Sequence, residues 1–300
     1  MEKRKFGRTD MQVSVLGFGA AEIGMKSYDL SQKEADLLLH TALEQGINVI
    51  DTASSYKSSE ALLGNALAGR RSDYYLFSKC GEGTSVGLDY PDWDARNVRP
   101  SVERSLSELK TDYLDLVLIH SCSEAILRQG DLIAAVQKLK EDGLVRYIGY
   151  SGDSTDALYA IRTDIFDALE TSINVADQQA ISLTLKEAQT RQMGIIAKRP
   201  IANAVWMRQG LENAPDPYIE RLAKLDFPFL QGDKDKITEI ALRFVLSVPQ
   251  VDTAIVGTTK PEHLLLNVLH ASNGALSGSE MDMILNRWKE VAEPAWAGLT

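Results

Sequence analysis

Eight short apolar runs recur along the chain, each followed by a longer polar stretch or a segment with helical spacing. They are VSVLGFG (13–19), INVID (47–51), YYLFSK (74–79), LDLVLIH (114–120), VRYIGYS (145–151), IFDALE (165–170), GIIAK (194–198) and DTAIVG (252–257). Runs that are nearly continuously apolar suit strands buried on both faces of a parallel sheet. The segments between them carry helix signals. SQKEADLLLHTALEQG opens with Ser31 and Glu34 at capping-box spacing and stops at Gly46. RPSVERSLSELK sets Val102, Leu106 and Leu109 on one face, and DLIAAVQKLKEDG and ITEIALRFVLSV keep the same period.

Eight strand–helix repeats predict an α/β fold, a closed (β/α)8 TIM barrel, as one domain over residues 1–300. The rival is an open doubly wound sheet. Its fingerprint needs Gly-x-Gly-x-x-Gly ahead of a helix, whereas GFGAAEIG (17–24) brings its third glycine, Gly24, two positions late. KRKFGRTDMQVS (3–14) reads as an N-terminal hairpin that plugs one end of the barrel. CGEGTSVGLDYPDWDARN (80–97) and RPIANAVWMRQGLENAPDPYIERLAKLDFPF (199–229) read as long loops over the other end, the mouth. Barrel loops at that end carry function.

A net charge of −10 argues against nucleic acid as a partner. No window approaches the ~20 apolar residues of a membrane span, and the N-terminus has no signal-peptide core. Two cysteines, Cys80 and Cys122, make no disulfide scaffold. These features predict a soluble cytoplasmic protein, and they leave the oligomeric state open. The four histidines (His40, His120, His263 and His270) show no grouping at strand ends, so no metal site is expected.

Polar residues close three consecutive apolar runs: Asp51, Lys79 and His120. Tyr56 follows in the loop after Asp51. Alone, each suits a cap, a solvated end or core packing. In a barrel, with strands ~4.8 Å apart, the four converge on one mouth. A neighbouring ammonium favours a phenolate, so Lys79 is expected to make Tyr56 a better acid. Asp51 can hold Lys79, and His120 can hydrogen-bond a substrate oxygen or relay a proton. Such a set suits proton donation to an oxygen that gains charge, as when a carbonyl accepts hydride.

The pattern Gly46, Asn48, Asp51, Thr52, Ala53, Tyr56, Ser59 and Glu60 resembles the signature of the aldo-keto reductase family. SLSELKTDYLDLVLIH (105–120) and GLVRYIGYS (143–151) resemble two further family segments, and the likeness runs from Leu16 to about Asn267. The resemblance implies a TIM barrel, a nicotinamide cofactor and a small-molecule carbonyl substrate. Tyr56 would be the general acid, supported by Asp51, Lys79 and His120.

The resemblance also implies cofactor contacts at Gly19, Ala20, Asp51, Ser151, Gly152 and Glu170. Thr259 and Glu262 have capping-box spacing, and a helix beginning there favours a phosphate. Gly257, Thr258, Thr259, Lys260, His263 and Asn267 are therefore candidates for the adenosine end, with NADPH favoured over NADH through Lys260. Three features depart from the family pattern. Ser151-Gly152 replaces Ser-Asn, Glu170 replaces a glutamine, and Lys198 and Arg199 stand where an aromatic residue often stacks on the nicotinamide. The two cations are candidates for the pyrophosphate, or Lys198 for a pair with Glu170, and Trp206 for the stacking. Tyr28, Tyr90, Trp93, Trp206 and Trp296 are candidate pocket walls. Cys80 and Cys122 are read as packing residues, with a thiol switch as the sharper alternative. The altered nicotinamide contacts keep a second class open, a nucleotide-binding redox sensor or regulatory subunit with little turnover.

Overall fold

In the computed structural model, which describes residues 1–24, 30–207 and 216–299, the apolar runs close into one parallel barrel. A hairpin comes first: β1 (Lys3–Lys5) pairs antiparallel with β2 (Gln12–Ser14). The barrel strands are β3 (Leu16–Gly19), β4 (Val49–Asp51), β5 (Tyr75–Cys80) and β6 (Leu114–His120). Then come β7 (Val145–Ser151), β8 (Ala168–Ser172), β9 (Gly194–Lys198) and β10 (Thr253–Gly257). They lie side by side in chain order, and β10 closes on β3. Among the described residues no helix is long and apolar enough to cross a membrane.

Several strand boundaries differ from the sequence reading, two of them by three residues. The first run splits, because Val13 and Ser14 belong to the hairpin and only Leu16–Gly19 to the barrel. The sixth strand starts at Ala168, not Ile165. Asp167 just before it is tied down, accepting from the Ile148 amide (3.1 Å), Lys140 (2.7 Å) and Arg8 (3.2 Å). The expected Ser31–Glu34 capping box is present. The helix Ala95–Leu109 begins earlier than its apolar spacing implied, because the Asp94 carboxylate caps it by accepting from the Arg96 amide.

The hairpin fills the N-terminal end of the barrel. Phe6, Met11 and Val13 pack into the lumen with Val49, Phe77, Leu116, Leu118, Ala168, Ile196 and Ile255. The Phe6 and Phe77 rings lie 5.6 Å apart. Contact with β9 is close enough to need glycine at Gly194, where a Cβ would meet the Phe6 ring at 2.5 Å. Side chains two apart on a strand face the same way. The next inward position beyond the apolar lumen is therefore Asp51 on β4, Lys79 on β5, His120 on β6, Glu170 on β8 and Lys198 on β9. One alternation thus makes both the dry interior and the polar floor above it.

Phe6→Ala should lower stability by about 3–5 kcal/mol in urea unfolding, since it leaves a cavity at a fully enclosed site. An unchanged midpoint would show that the hairpin is not part of the core.

Candidate active site

The floor of the mouth is a buried charge cluster. Lys79 Nζ donates to Asp51 Oδ1 (2.6 Å) and to the Thr52 carbonyl (3.1 Å). Glu170 Oε2 stands 3.4 Å from the same ammonium, and Ser151 Oγ donates to Glu170 Oε1 at 3.3 Å. The side chains of Lys79, Asp51 and Glu170 are 1–3% exposed. Burial alone would lower the lysine pKa, but the two carboxylates outweigh it and hold the ammonium above its ordinary range. For Asp51, burial and then Glu170 raise the carboxyl well above the usual range, against the pull of Lys79. Asp51 Oδ2 and Glu170 Oε2 have no hydrogen-bond donor among the described residues.

Tyr56 leans over this cluster. Lys79 Nζ is 5.3 Å from its ring centroid, and its ring meets His120 edge-on at 6.0 Å. The expected acidification by Lys79 does not prevail. Burial pushes the phenol up to about 12, with Asp51 and Glu170 adding to it and only Lys79 opposing. His120 is fixed from behind. Its Nδ1 is 2.8 Å from Glu82 Oε2, and its carbonyl accepts the Trp93 indole N–H at 2.7 Å. Glu82 and this use of Trp93 escaped the sequence reading, because neither sits at a strand end and the loop pairing is tertiary.

A cavity of about 660 Å³ opens above. Asp51, Tyr56, His120, Ser151 and Glu170 line it at the charge cluster. From there it runs past Gly19, Lys198 and Arg199 to Gly257, Thr258, Thr259, Lys260 and His263. Glu22, Ser121 and Asn203 also line it and were not foreseen. The remaining candidates stand elsewhere. Ala20 is enclosed, its amide donating to the Asp51 carbonyl (2.8 Å). Gly152 is packed on the Tyr150 ring, and Asn267 is buried in its helix away from the lining.

The aromatic walls are corrected too. Trp93 turns its indole to the His120 backbone, and Trp206 donates to Thr238 Oγ1 (3.0 Å), so neither lines the cavity. Tyr90 is exposed beneath the Arg96 guanidinium, and Trp296 packs on Trp288. Tyr28 and residues 208–215 of the long insertion lie outside the described residues.

Three further expectations change. Lys198 pairs with Asp153 (3.0 Å), not with Glu170, which Lys79 occupies. Arg199 Nη1 donates to Ser172 Oγ (3.2 Å) and to the Leu299 carbonyl, which draws its head toward the C-terminal segment. The last helix of the barrel starts at Pro261 behind Lys260, not at Thr259. Proline suits a first helical position, and Thr258 Oγ1 has already taken the Lys260 amide (3.1 Å). Cys80 and Cys122 are free and buried, and burial pushes both thiols up to about 12. A thiolate switch at neutral pH is therefore disfavoured. No group of three or more His, Cys, Asp or Glu suited to a metal occurs among the described residues.

Comparison with known proteins agrees with this geometry. Residues 15–288 match the model of the aldo/keto reductase family. A curated relative, L-galactose dehydrogenase of Arabidopsis thaliana, is 28% identical over 98% of each chain. An aldo-keto reductase of Bacillus halodurans in its holo form superposes with a TM-score of 0.83, at 24% identity and 99% coverage of both chains. An aldo-keto reductase of Klebsiella pneumoniae, solved in complex with NADPH, gives 0.72 at 23% identity, covering 98% of this chain and 96% of that one.

Lys79→Met should cost about 3–5 kcal/mol at neutral pH, because two buried carboxylates lose their cation. The Asp51 carboxyl, already raised by burial, loses the pull of Lys79, so in the folded variant its pKa would lie further above that of the unfolded chain. The sign follows: stability is retained below about pH 4 and falls as pH rises through the raised value. Denaturation of variant and wild type at several pH values checks this, and a pH-independent difference would refute it.

Proposed function

The chain belongs to the aldo/keto reductase family, and on that premise we propose that it transfers hydride between a nicotinamide cofactor and the carbonyl carbon of a small aldehyde, ketone or sugar. One observation carries this reading: a buried Lys79–Asp51 pair lies beneath Tyr56, and Tyr56 and His120 line one cavity. In the reducing direction Tyr56 hands its proton to the substrate oxygen, and Lys79 stabilises the negative charge that the phenol acquires. Asp51 keeps Lys79 charged and aimed. His120 orients the substrate oxygen.

The residues present fit a dinucleotide. The helix Pro261–Ser272 has no side-chain cap, and its N-terminal end, with Thr258, Thr259, Lys260 and His263, borders the cavity. Such an end favours phosphate. At the other end Ser151 Oγ, whose proton goes to Glu170, keeps lone-pair capacity to accept from a carboxamide N–H. When bound, the nicotinamide supplies or receives the hydride. Lys260 favours NADPH over NADH, in line with the NADPH complex of the Klebsiella pneumoniae protein. Lys198, at the cavity wall and backed by Asp153, fits the pyrophosphate. Two free, buried cysteines suit a reducing compartment, and we place the protein in the cytoplasm.

Tyr56→Phe should keep NADPH affinity and lose about 10²–10⁴-fold in aldehyde reduction, followed at 340 nm. Full activity in that variant would remove Tyr56 from the chemistry. Lys198→Met should weaken NADPH binding at least tenfold in a fluorescence titration, and unchanged affinity would detach Lys198 from the cofactor site.

A further inference from the structure

The loop after β5 places Glu82 behind His120, with Oε2 2.8 Å from Nδ1. That loop is held in place. The Trp93 amide donates to the Gly81 carbonyl (2.5 Å), and the Trp93 indole donates to the His120 carbonyl (2.7 Å). Gly81 takes φ +118 with a Cβ position 3.1 Å from the Trp93 ring, so the turn that delivers Glu82 is specific to glycine. The contact has a consequence for the imidazole. Burial by itself would raise the Glu82 pKa, but hydrogen bonds from His120 and Ser55, with the charge of Lys79, bring it below the ordinary value. At neutral pH Glu82 is a carboxylate, and a carboxylate only accepts. Nδ1 must therefore carry the proton. In the neutral ring Nε2 is then a lone-pair acceptor, and it has no hydrogen-bond partner among the described residues, although His120 lines the cavity.

We propose that Glu82 is a positioning residue acting through His120: it keeps the ring proton on Nδ1 and presents Nε2 to the cavity as a proton acceptor. This rests on the hydride-transfer reading above. When an alcohol is oxidised, its C–H bond breaks with the hydrogen and both electrons going to the oxidised nicotinamide, and its O–H proton passes through Tyr56 to Nε2. The ring becomes an imidazolium paired with Glu82. Reduction runs the same steps backwards, with the imidazolium returning the proton. Burial holds Tyr56 as the phenol, so the proton that an oxidised alcohol releases calls for a second acceptor beyond it.

The test is nitrogen–proton long-range correlation NMR of the wild-type chain and Glu82→Gln, with His120→Asn identifying the His120 signals. At a pH where the ring is neutral, wild-type His120 should be in the Nδ1–H form. In Glu82→Gln that population should fall at least fivefold. At a single pH, kcat/KM for aldehyde reduction and for alcohol oxidation should then fall together, at least tenfold, because the equilibrium constant fixes their ratio. NADPH affinity should stay within twofold, and Glu82→Asp should recover at least a threefold part of the loss. A wild-type ring in the Nε2–H form overturns the proposal, whether or not the variants fold. So does a Glu82→Gln enzyme within twofold of wild type, or one that loses activity with its tautomer unchanged. Tyr56→Phe separates the two readings. Full turnover in that variant refutes the hydride-transfer chemistry assigned to Tyr56, whereas a changed tautomer with normal turnover in Glu82→Gln refutes only the role of Glu82.

Discussion

A lysine ammonium at 1% exposure is the constraint around which this fold is arranged. An isolated charge of that kind is untenable in a protein interior and would shed its proton. Two carboxylates keep it ionised, and they come from strands that are distant in sequence: Asp51 from β4 and Glu170 from β8. Only a closed sheet brings β4, β5 and β8 around one axis at one height. The register does so here, with Asp51 opposite Phe77 and Glu170 opposite both Ser151 and Ile196. The barrel is thus the device that makes a buried cation possible.

The second carboxylate changes the electrostatics of the floor. One ammonium faces two acids, so the cluster is not neutral if both ionise, and Asp51 is raised by burial and by Glu170 together. With both ionised, the cluster favours added positive charge in the cavity over added negative charge. Lys198 meets that condition one strand away, backed by Asp153. Placing Lys198 at the pyrophosphate is consistent with this balance, because its charge is already partly compensated behind it and still faces the cavity in front.

Much of this was legible in the sequence, for a definite reason. Barrel strands are read by their apolar runs, and a polar residue ending such a run must sit at the rim. Asp51, Lys79, His120, Ser151, Glu170 and Lys198 all follow that rule. What failed depended on side-chain direction in loops. Aromatic loop residues often form pocket walls, yet Trp93 and Trp206 spend their indole N–H on partners remote in sequence, the His120 carbonyl and Thr238. Glu82 and Asp153 had no periodic signal. The Thr259–Glu262 spacing was a real capping pattern that Pro261 overrode by fixing the first helical position. The acidity of Tyr56 was misjudged because a neighbouring charge is visible in a motif, whereas desolvation belongs to the finished fold.

That last correction bears on how the proposed reduction proceeds. A phenol at about 12 is too weak an acid to protonate a neutral carbonyl before hydride arrives. It is strong enough afterwards. Once hydride has reached carbon, the oxygen approaches an alkoxide, a base of about the strength of hydroxide. Transfer from the phenol is then downhill, because an alkoxide is the stronger base. Burial also keeps the proton on Tyr56 until that moment, so the resting site holds the donor form across the neutral range. The ammonium of Lys79 then acts where it matters, on the phenolate that exists only after transfer, which is stabilisation given to the late state and withheld from the ground state.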